Sequence, residues 1–393
     1  MSGLSERARG PRTDGVTLRT IAREWSRLGA TGFGGPPAHI ALLRQLCVVD
    51  RGWQTEREFE DAIAVTNLLP GPASTQLAIL SAWRLRGPAG AIVGGVCFIV
   101  PGLIMILALS VLFFGASPPT VVLAAAAGVG AAVPAVAVHA AAGLAPGSWK
   151  RTAGHRASQV RWVLYALAGA AATLLGPFLV LVLATCGLAE VVAHRRRSVS
   201  THLLSVAPAT VLPALGTLAS VAWVAFKVGA LSYGGGFVII PLMQHDAVDV
   251  HHWMTNAQFL DAVALGQVTP GPVVLTVSAV GYAAAGLAGG VLAAVVAFAP
   301  SFAYVLLGAR HLEQLRTNRS IQAFLTGAGA AAIGAIAGAS ISLLFALAHP
   351  WQAIPLAAGA GVLFGTHRSV VPALLVAGLI GVGAGLLGLP VQP

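Results

Sequence analysis

Charge is what this chain lacks most. Of 393 residues only 9% are Asp, Glu, Lys or Arg, while 56% are hydrophobic; a soluble domain carries about 25% charge. A water-facing surface cannot be covered on that supply, so a soluble globular domain is excluded. Cysteine is scarce as well. Cys47, Cys97 and Cys186 stand alone, with no CxxC and no Cys/His cluster. They read as buried apolar thiols, which excludes a disulfide framework and a metal site, and no cofactor is expected. Acidic residues number 13 against 23 Lys and Arg, a net charge of +10. That excess raises the question of nucleic acid, but the basic residues sit in short segments between apolar runs, which argues against it. The N-terminal stretch with Arg7, Arg9, Arg12, Arg19, Arg23 and Arg27 is polar and has no apolar run, so no signal peptide is expected.

What the chain does have is apolar length. Residues 87–116, 118–138, 284–309 and 320–348 carry no charge, and each is long enough for a bilayer core. The 47 glycines include GxxxG pairs at Gly90/Gly94, Gly286/Gly290, Gly334/Gly338 and Gly381/Gly385, read as general helix packing. Basic residues cluster at Arg84/Arg86, in 143–161, at 194–197, in 310–319 and at Arg368; 115–120, 176–177 and 349–351 have none. Placing every basic loop in the cytoplasm is self-consistent. Spans then run outward over 87–114, 161–175, 207–226, 320–347 and 369–389, and inward over 120–142, 177–194, 286–309 and 351–366. The N-terminus is cytoplasmic and the C-terminus outside.

The chain also repeats itself. Residues 27–72 match 227–272 at a constant offset of 200: Gly29, Gly34, Gly35, Trp53, Thr55, Phe59, Asp61 and Pro70-Gly71-Pro72 meet Gly229, Gly234, Gly235, Trp253, Thr255, Phe259, Asp261 and Pro270-Gly271-Pro272. One residue is then lost, so Gly87, Gly90 and Pro101 meet Gly286, Gly289 and Pro300. The extra span 207–226 turns the second copy over. The expected fold is an all-α polytopic membrane protein of two inverted-topology repeats, the logic of a secondary transporter. Residues 1–15 form a polar tail, 16–200 the first repeat, and 201–393 the second with its linking span.

Between Arg27 and Arg84, and again between Lys227 and Tyr282, the chain must leave and return on one face. Glycine and proline cut it into pieces of 11 or 12 residues, 37–47, 59–69 and 73–84, roughly 16–18 Å each as helix. This predicts two re-entrant helical hairpins per half, four beside nine full spans. Their tips are Gly34-Gly35-Pro36 and Pro70-Gly71-Pro72, with copies Gly234-Gly235-Gly236 and Pro270-Gly271-Pro272. Irregular backbone at membrane depth survives only inside protein or beside a water-filled cavity, so the tips should meet near the midplane. The half-helix N-termini behind them would offer free N–H groups to an anion. Ordinary turns in interfacial loops are the alternative.

The pattern Gly29-x-x-x-Phe33-Gly34-Gly35-Pro36, then Arg44, Trp53, Phe59, Leu69-Pro70-Gly71-Pro72 and a glycine-rich span ending at Pro101, resembles the chromate ion transporter family in its long, two-domain form. Phe226-Lys227-x-Gly229-x-x-x-Tyr233-Gly234-Gly235-Gly236 and Val268-Thr269-Pro270-Gly271-Pro272 resemble that family's C-terminal domain. The resemblance runs from about residue 16 onward. It implies export of chromate from the bacterial cytoplasm across the inner membrane, driven by the membrane potential or the proton gradient, with sulfate as a structural analogue.

Arg27 and Lys227, just before the first break of each half, are candidates to draw in a dianion, or else snorkel to the interface. Arg44 faces a neutral counterpart, Gln244. Asn67 and Gln267 stand three residues before the Pro-Gly-Pro tips as uncharged donors. With Gly34, Gly35, Pro70, Gly71, Gly234, Gly235, Pro270 and Gly271 they make up the candidate substrate-binding set. Asp61 and Asp261 are candidate proton carriers, or partners of an interfacial arginine such as Arg57. His39 reads as a packed polar group. A lipid-phosphate enzyme is the competing class, but it needs an acid/base cluster. Ser74 and Thr75 are replaced by Val274 and Leu275, and no Glu or His lies alongside. A channel shares the architecture, and a scaffold or sensor has no use for duplicated broken helices. Expected partners are the oxyanion and membrane lipids, with a homodimer as an open option.

Overall fold

The computed structural model describes residues 15–67, 69–115, 119–152, 155–175, 179–195, 216–232, 239–308, 318–365 and 370–390. Among these, all regular structure is helical. The first half holds α1 (Leu18–Thr31), α2 (Gly35–Arg44), α3 (Glu56–Thr66), α4 (Ala73–Phe114), α5 (Thr120–Lys150), α6 (Arg156–Leu175) and α7 (Leu179–Arg195). The second holds α8 (Thr217–Leu231), α9 (Ile239–Gln244), α10 (Asn256–Val268), α11 (Thr276–Gly308), α12 (Arg319–Phe345), α13 (Ala353–Gly365) and α14 (Val370–Leu386). The chain is an all-α polytopic membrane protein.

The repeat seen in the residues is a repeat of backbone devices. α2 and α9 each run on into a six-residue π-helical turn, Gln45–Asp50 and His245–Val250. Thr55 and Thr255 then cap α3 and α10, each closing a capping box with the residue three on, Glu58 or Gln258. Such a cap contributes about 1 kcal/mol. α4 breaks at Arg86 and Gly87 (φ 60, ψ −149), and α11 at Ala285 and Gly286 (φ 62, ψ −154). Only glycine reaches that backbone region readily, so each break divides a half-length arm from a long helix.

Two expected arms shift. The piece 37–47 extends over 35–50, because Pro36 and Pro37 sit in the first turn, where a missing N–H costs nothing, and the π turn lengthens its far end. The piece 59–69 becomes 56–66, started early by the Thr55 cap. Among the described residues, four helices are long and apolar enough to cross a bilayer: α4, α5, α11 with its preceding turn, and α12. The other expected crossings are shorter. α13 has 13 residues, roughly 20 Å, and follows a 3₁₀ turn at Pro350–Gln352. The span expected over 207–226 lies outside the described residues up to 215. Its described part continues as helix past Lys227 to Leu231.

α1 lies along α4 and α8 along α11, and α4 and α11 pack on each other. The matched glycines explain the closeness: a Cβ on Gly29 would stand 2.4 Å from Phe98 O, and one on Gly229 1.9 Å from Ala297 O. The repeated Phe59 and Phe259 are both fully buried and anchor separate apolar clusters. Beyond this centre the halves interlock. α5 packs with α13 and α14 of the second half, α12 packs with α6 and α7 of the first, and α5 meets α12.

Candidate functional site at the crossing of the loops

Each Pro-Gly-Pro loop is pinned to the opposite half. Gly71 N–H donates to Ser232 O at 2.6 Å, and Gly271 N–H donates to Gly32 O at 3.0 Å. The two bonds are related by the same offset of 200. Gly71 (φ 115) and Gly271 (φ 97) are both in the left-handed range that other residues avoid. Each loop also lies against the residue that follows the other half's helix proline. A Cβ on Gly102 would stand 2.3 Å from Pro270 O, and one on Gly71 would stand 3.1 Å from Ser301 Oγ. So the backbone that leaves the helices meets at one crossing.

The Gly32 carbonyl takes a second donor. His39 Nε2 lies 2.9 Å from it, and His39 Nδ1 lies 3.2 Å from Ser74 Oγ. A carbonyl can only accept, so the ring carries its proton on Nε2, and Nδ1 accepts from Ser74. The ring also stands edge-on to Phe98. His39 is therefore a packed polar group, as expected, and it ties α1, α2 and the start of α4 together. The expectation that no Glu or His lies alongside Ser74 is thereby corrected. The partner comes from 35 residues upstream, a juxtaposition only folding shows. Both side chains are buried, and a backbone carbonyl stands where a nucleophilic pair would need a carboxylate.

Polar atoms without protein partners gather around the crossing. Gln76 Nε2 donates to Pro70 O at 2.6 Å, but Gln76 Oε1, Thr75 Oγ1, Ser232 Oγ, Ser301 Oγ and Gln267 Nε2 are buried and unbonded. Unpaired buried polar groups are costly and rare, so several in one region make the crossing the candidate site. Gln76, Ser232 and Ser301 were not singled out from sequence. The signal was nevertheless present: polar residues directly behind matched breakers, in otherwise apolar runs.

The expected charges are mostly engaged elsewhere. Arg44 is exposed and paired with Glu56 (Nε–Oε1 2.7 Å), and its counterpart Gln244 donates to Asn256 at 2.8 Å. One clamp between the first arm and the next helix is thus ionic in one half and neutral in the other. Lys227 pairs with buried Asp246 at 2.5 Å and lies 5.9 Å from the Trp223 ring centroid. Arg27 is exposed on α1, with no ion pair among the described residues. Asn67 is exposed while Gln267 is buried. Gly34 and Gly35 take φ 99 and 73 at the start of α2; Gly234 and Gly235 lie outside the described residues. Asp61 is in electrostatic range of Arg84. Asp261 sits beside Gly130 of α5, its Oδ1 3.4 Å from where a Cβ there would be, and among the described residues it has no hydrogen bond or ion pair.

The family described as chromate transporter matches residues 19–191 and 219–385. A chromate transport protein of Cupriavidus metallidurans is 33% identical over 83% of this chain and 82% of its own length. A chromate transport protein of Pseudomonas aeruginosa is 31% identical over 90% of this chain and 89% of its own. A probable chromate transport protein of Synechococcus elongatus is 29% identical over 88% and 96%. No solved structure matches.

Proposed function

The chain belongs to the chromate transporter family, and we propose on that footing that it exports chromate or a related oxyanion such as sulfate across the bacterial inner membrane. The observation that carries this reading is the reciprocal pair of bonds, Gly71 to Ser232 and Gly271 to Gly32. It brings the broken backbone of both halves to one place and surrounds it with unpartnered polar atoms. The two halves have opposite orientations in the membrane, as the basic loops indicate, and alternate access by moving against each other around this crossing. The N-terminus is cytoplasmic and the C-terminus outside.

Export of a dianion is favoured by an inside-negative potential at about 2.3 kcal/mol per charge per 100 mV. Two charges give about 4.6 kcal/mol, a concentration ratio of order 10³. Coupled protons add to this. Of the two matched aspartates, Asp261 suits a proton carrier better, since Asp61 has Arg84 nearby and Asp261 has no ion pair among the described residues.

The test is uptake of labelled chromate and sulfate by inverted vesicles, with potential and ΔpH imposed separately. The expected result is uphill accumulation under potential alone. Uptake that only runs downhill makes the protein a channel, and no uptake under any gradient refutes the reading.

A further inference from the structure

The two loop tips are matched in backbone and unmatched in chemistry. Around Gly71 stand three fully buried polar residues, Gln76 and Ser301 beside its Cβ position and Ser232 accepting from its N–H, each 0% exposed and each with a side-chain atom lacking a partner. Around Gly271 the same three places hold no unpartnered polar side chain: His39 shares the Gly32 carbonyl but is fully bonded, and an unbonded donor, Gln267 Nε2, stands three residues before Pro270. Leu275 lies beside Gly271, its Cδ1 3.5 Å from where a Cβ would be, as Gln76 Nε2 lies beside Gly71. Gly102 takes the place of Ser301 against the opposite loop, and Gly32 that of Ser232 as the acceptor of the loop N–H. In sequence Leu275 is matched to Thr75 at offset 200, so its place opposite Gln76 is a feature of the folded tips.

We infer that the chain holds its oxyanion at one of the two tips, the Gly71 tip, through the neutral side chains of Gln76, Ser232 and Ser301, and that the Gly271 tip is scaffold. The inference rests on the reading of the chain as an oxyanion transporter. Gln76 Nε2 spends one hydrogen on Pro70 O and has a second to give. The two hydroxyls donate to the anion, and Gln76 Oε1 offers a retained water a place to donate. None of the three adds charge, and the two cations nearest in sequence to the first breaks differ in availability: Lys227 is already paired, Arg27 exposed. The tip therefore takes a tetrahedral oxyanion by hydrogen bonding, one ion per chain.

The experiment measures chromate uptake into proteoliposomes for Ser301→Ala, Ser232→Ala and Gln76→Met, beside Leu275→Met at the other tip. Chromate-induced thermal stabilisation of the purified proteins gives a readout independent of flux. Each tip variant is expected to raise KM about tenfold or more, the usual effect of losing one hydrogen bond to a charged group, with the stabilisation lost in parallel. Leu275→Met should stay within about twofold of the parent. Ser301→Thr, which keeps the hydroxyl, should recover most of the affinity and shows that a loss in Ser301→Ala is not misfolding. Unchanged KM in all three tip variants, or an equal loss in Leu275→Met, overturns the assignment while leaving transport itself intact. A parent protein that moves no chromate fails the transport reading instead.

Discussion

Replacing Gly71 and Gly271 by alanine separates a functional tip from a scaffolding one, because the backbones match and the surroundings do not. Both sites hold positive φ, 115° and 97°, and forcing a Cβ into such a conformation costs about 1–3 kcal/mol. At Gly271 that strain is nearly the whole effect, since the nearest atom to the new methyl is Leu275 Cδ1 at 3.5 Å, an ordinary contact. At Gly71 the methyl would stand 2.4 Å from Gln76 Nε2, which is tethered to Pro70 O at 2.6 Å. The amide must move, giving up that bond at a further cost of about 0.5–1.5 kcal/mol, and the space beside Ser301 fills. Gly271→Ala should lower the thermal midpoint while keeping measurable chromate transport with KM within a few-fold. Gly71→Ala should insert in the membrane and lose chromate-dependent stabilisation. The assay is thermal unfolding of both purified variants with and without chromate, followed by proteoliposome flux. Equal loss at both positions, or a worse loss at Gly271, would refute the reasoning.

Lys227→Met strands the Asp246 carboxylate, which is 6% exposed, and should destabilise by about 3–5 kcal/mol; Lys227→Met with Asp246→Asn should recover most of this in thermal unfolding. Arg44→Gln with Glu56→Asn copies the Gln244–Asn256 clamp of the second half, so flux should persist, and its loss would put Arg44 on the ion's path. Asp261→Asn should abolish the response of flux to ΔpH while potential-driven flux continues, and Asp61→Asn should keep that response. Gly35→Val, at φ 73, should insert normally and fail to transport. Cysteine labelling should reach position 117 from outside and position 317 from inside; labelling of both from one side would end the inverted topology.

Sequence carried the repeat, the breakers and the half-length arms, because those are local: a glycine that must take positive φ and a proline without an N–H mark the chain wherever it goes. It placed the helix ends less well, since a cap at Thr55 and a π turn after Arg44 act on three or four residues that periodicity treats as neutral. It missed what tertiary contact creates. Arg44 meets Glu56 across a bend, His39 meets Ser74 from 35 residues away, and Ser301 reaches the Gly71 loop across more than half the chain. The interlocking of α5 with α13 and α14 has no local signature either. The asymmetry of the tips was legible in part. Ser74 and Thr75 facing Val274 and Leu275 showed that one arm is polar and the other apolar, but not which atoms would be left unpaired.

The most direct measurement is an anomalous difference map at the chromium edge from crystals of the protein grown with chromate. The account predicts one peak per chain, beside the Gly71 loop and within hydrogen-bonding distance of Gln76, Ser232 and Ser301. A peak away from the crossing, or two equal peaks at the Gly71 and Gly271 loops, would contradict it.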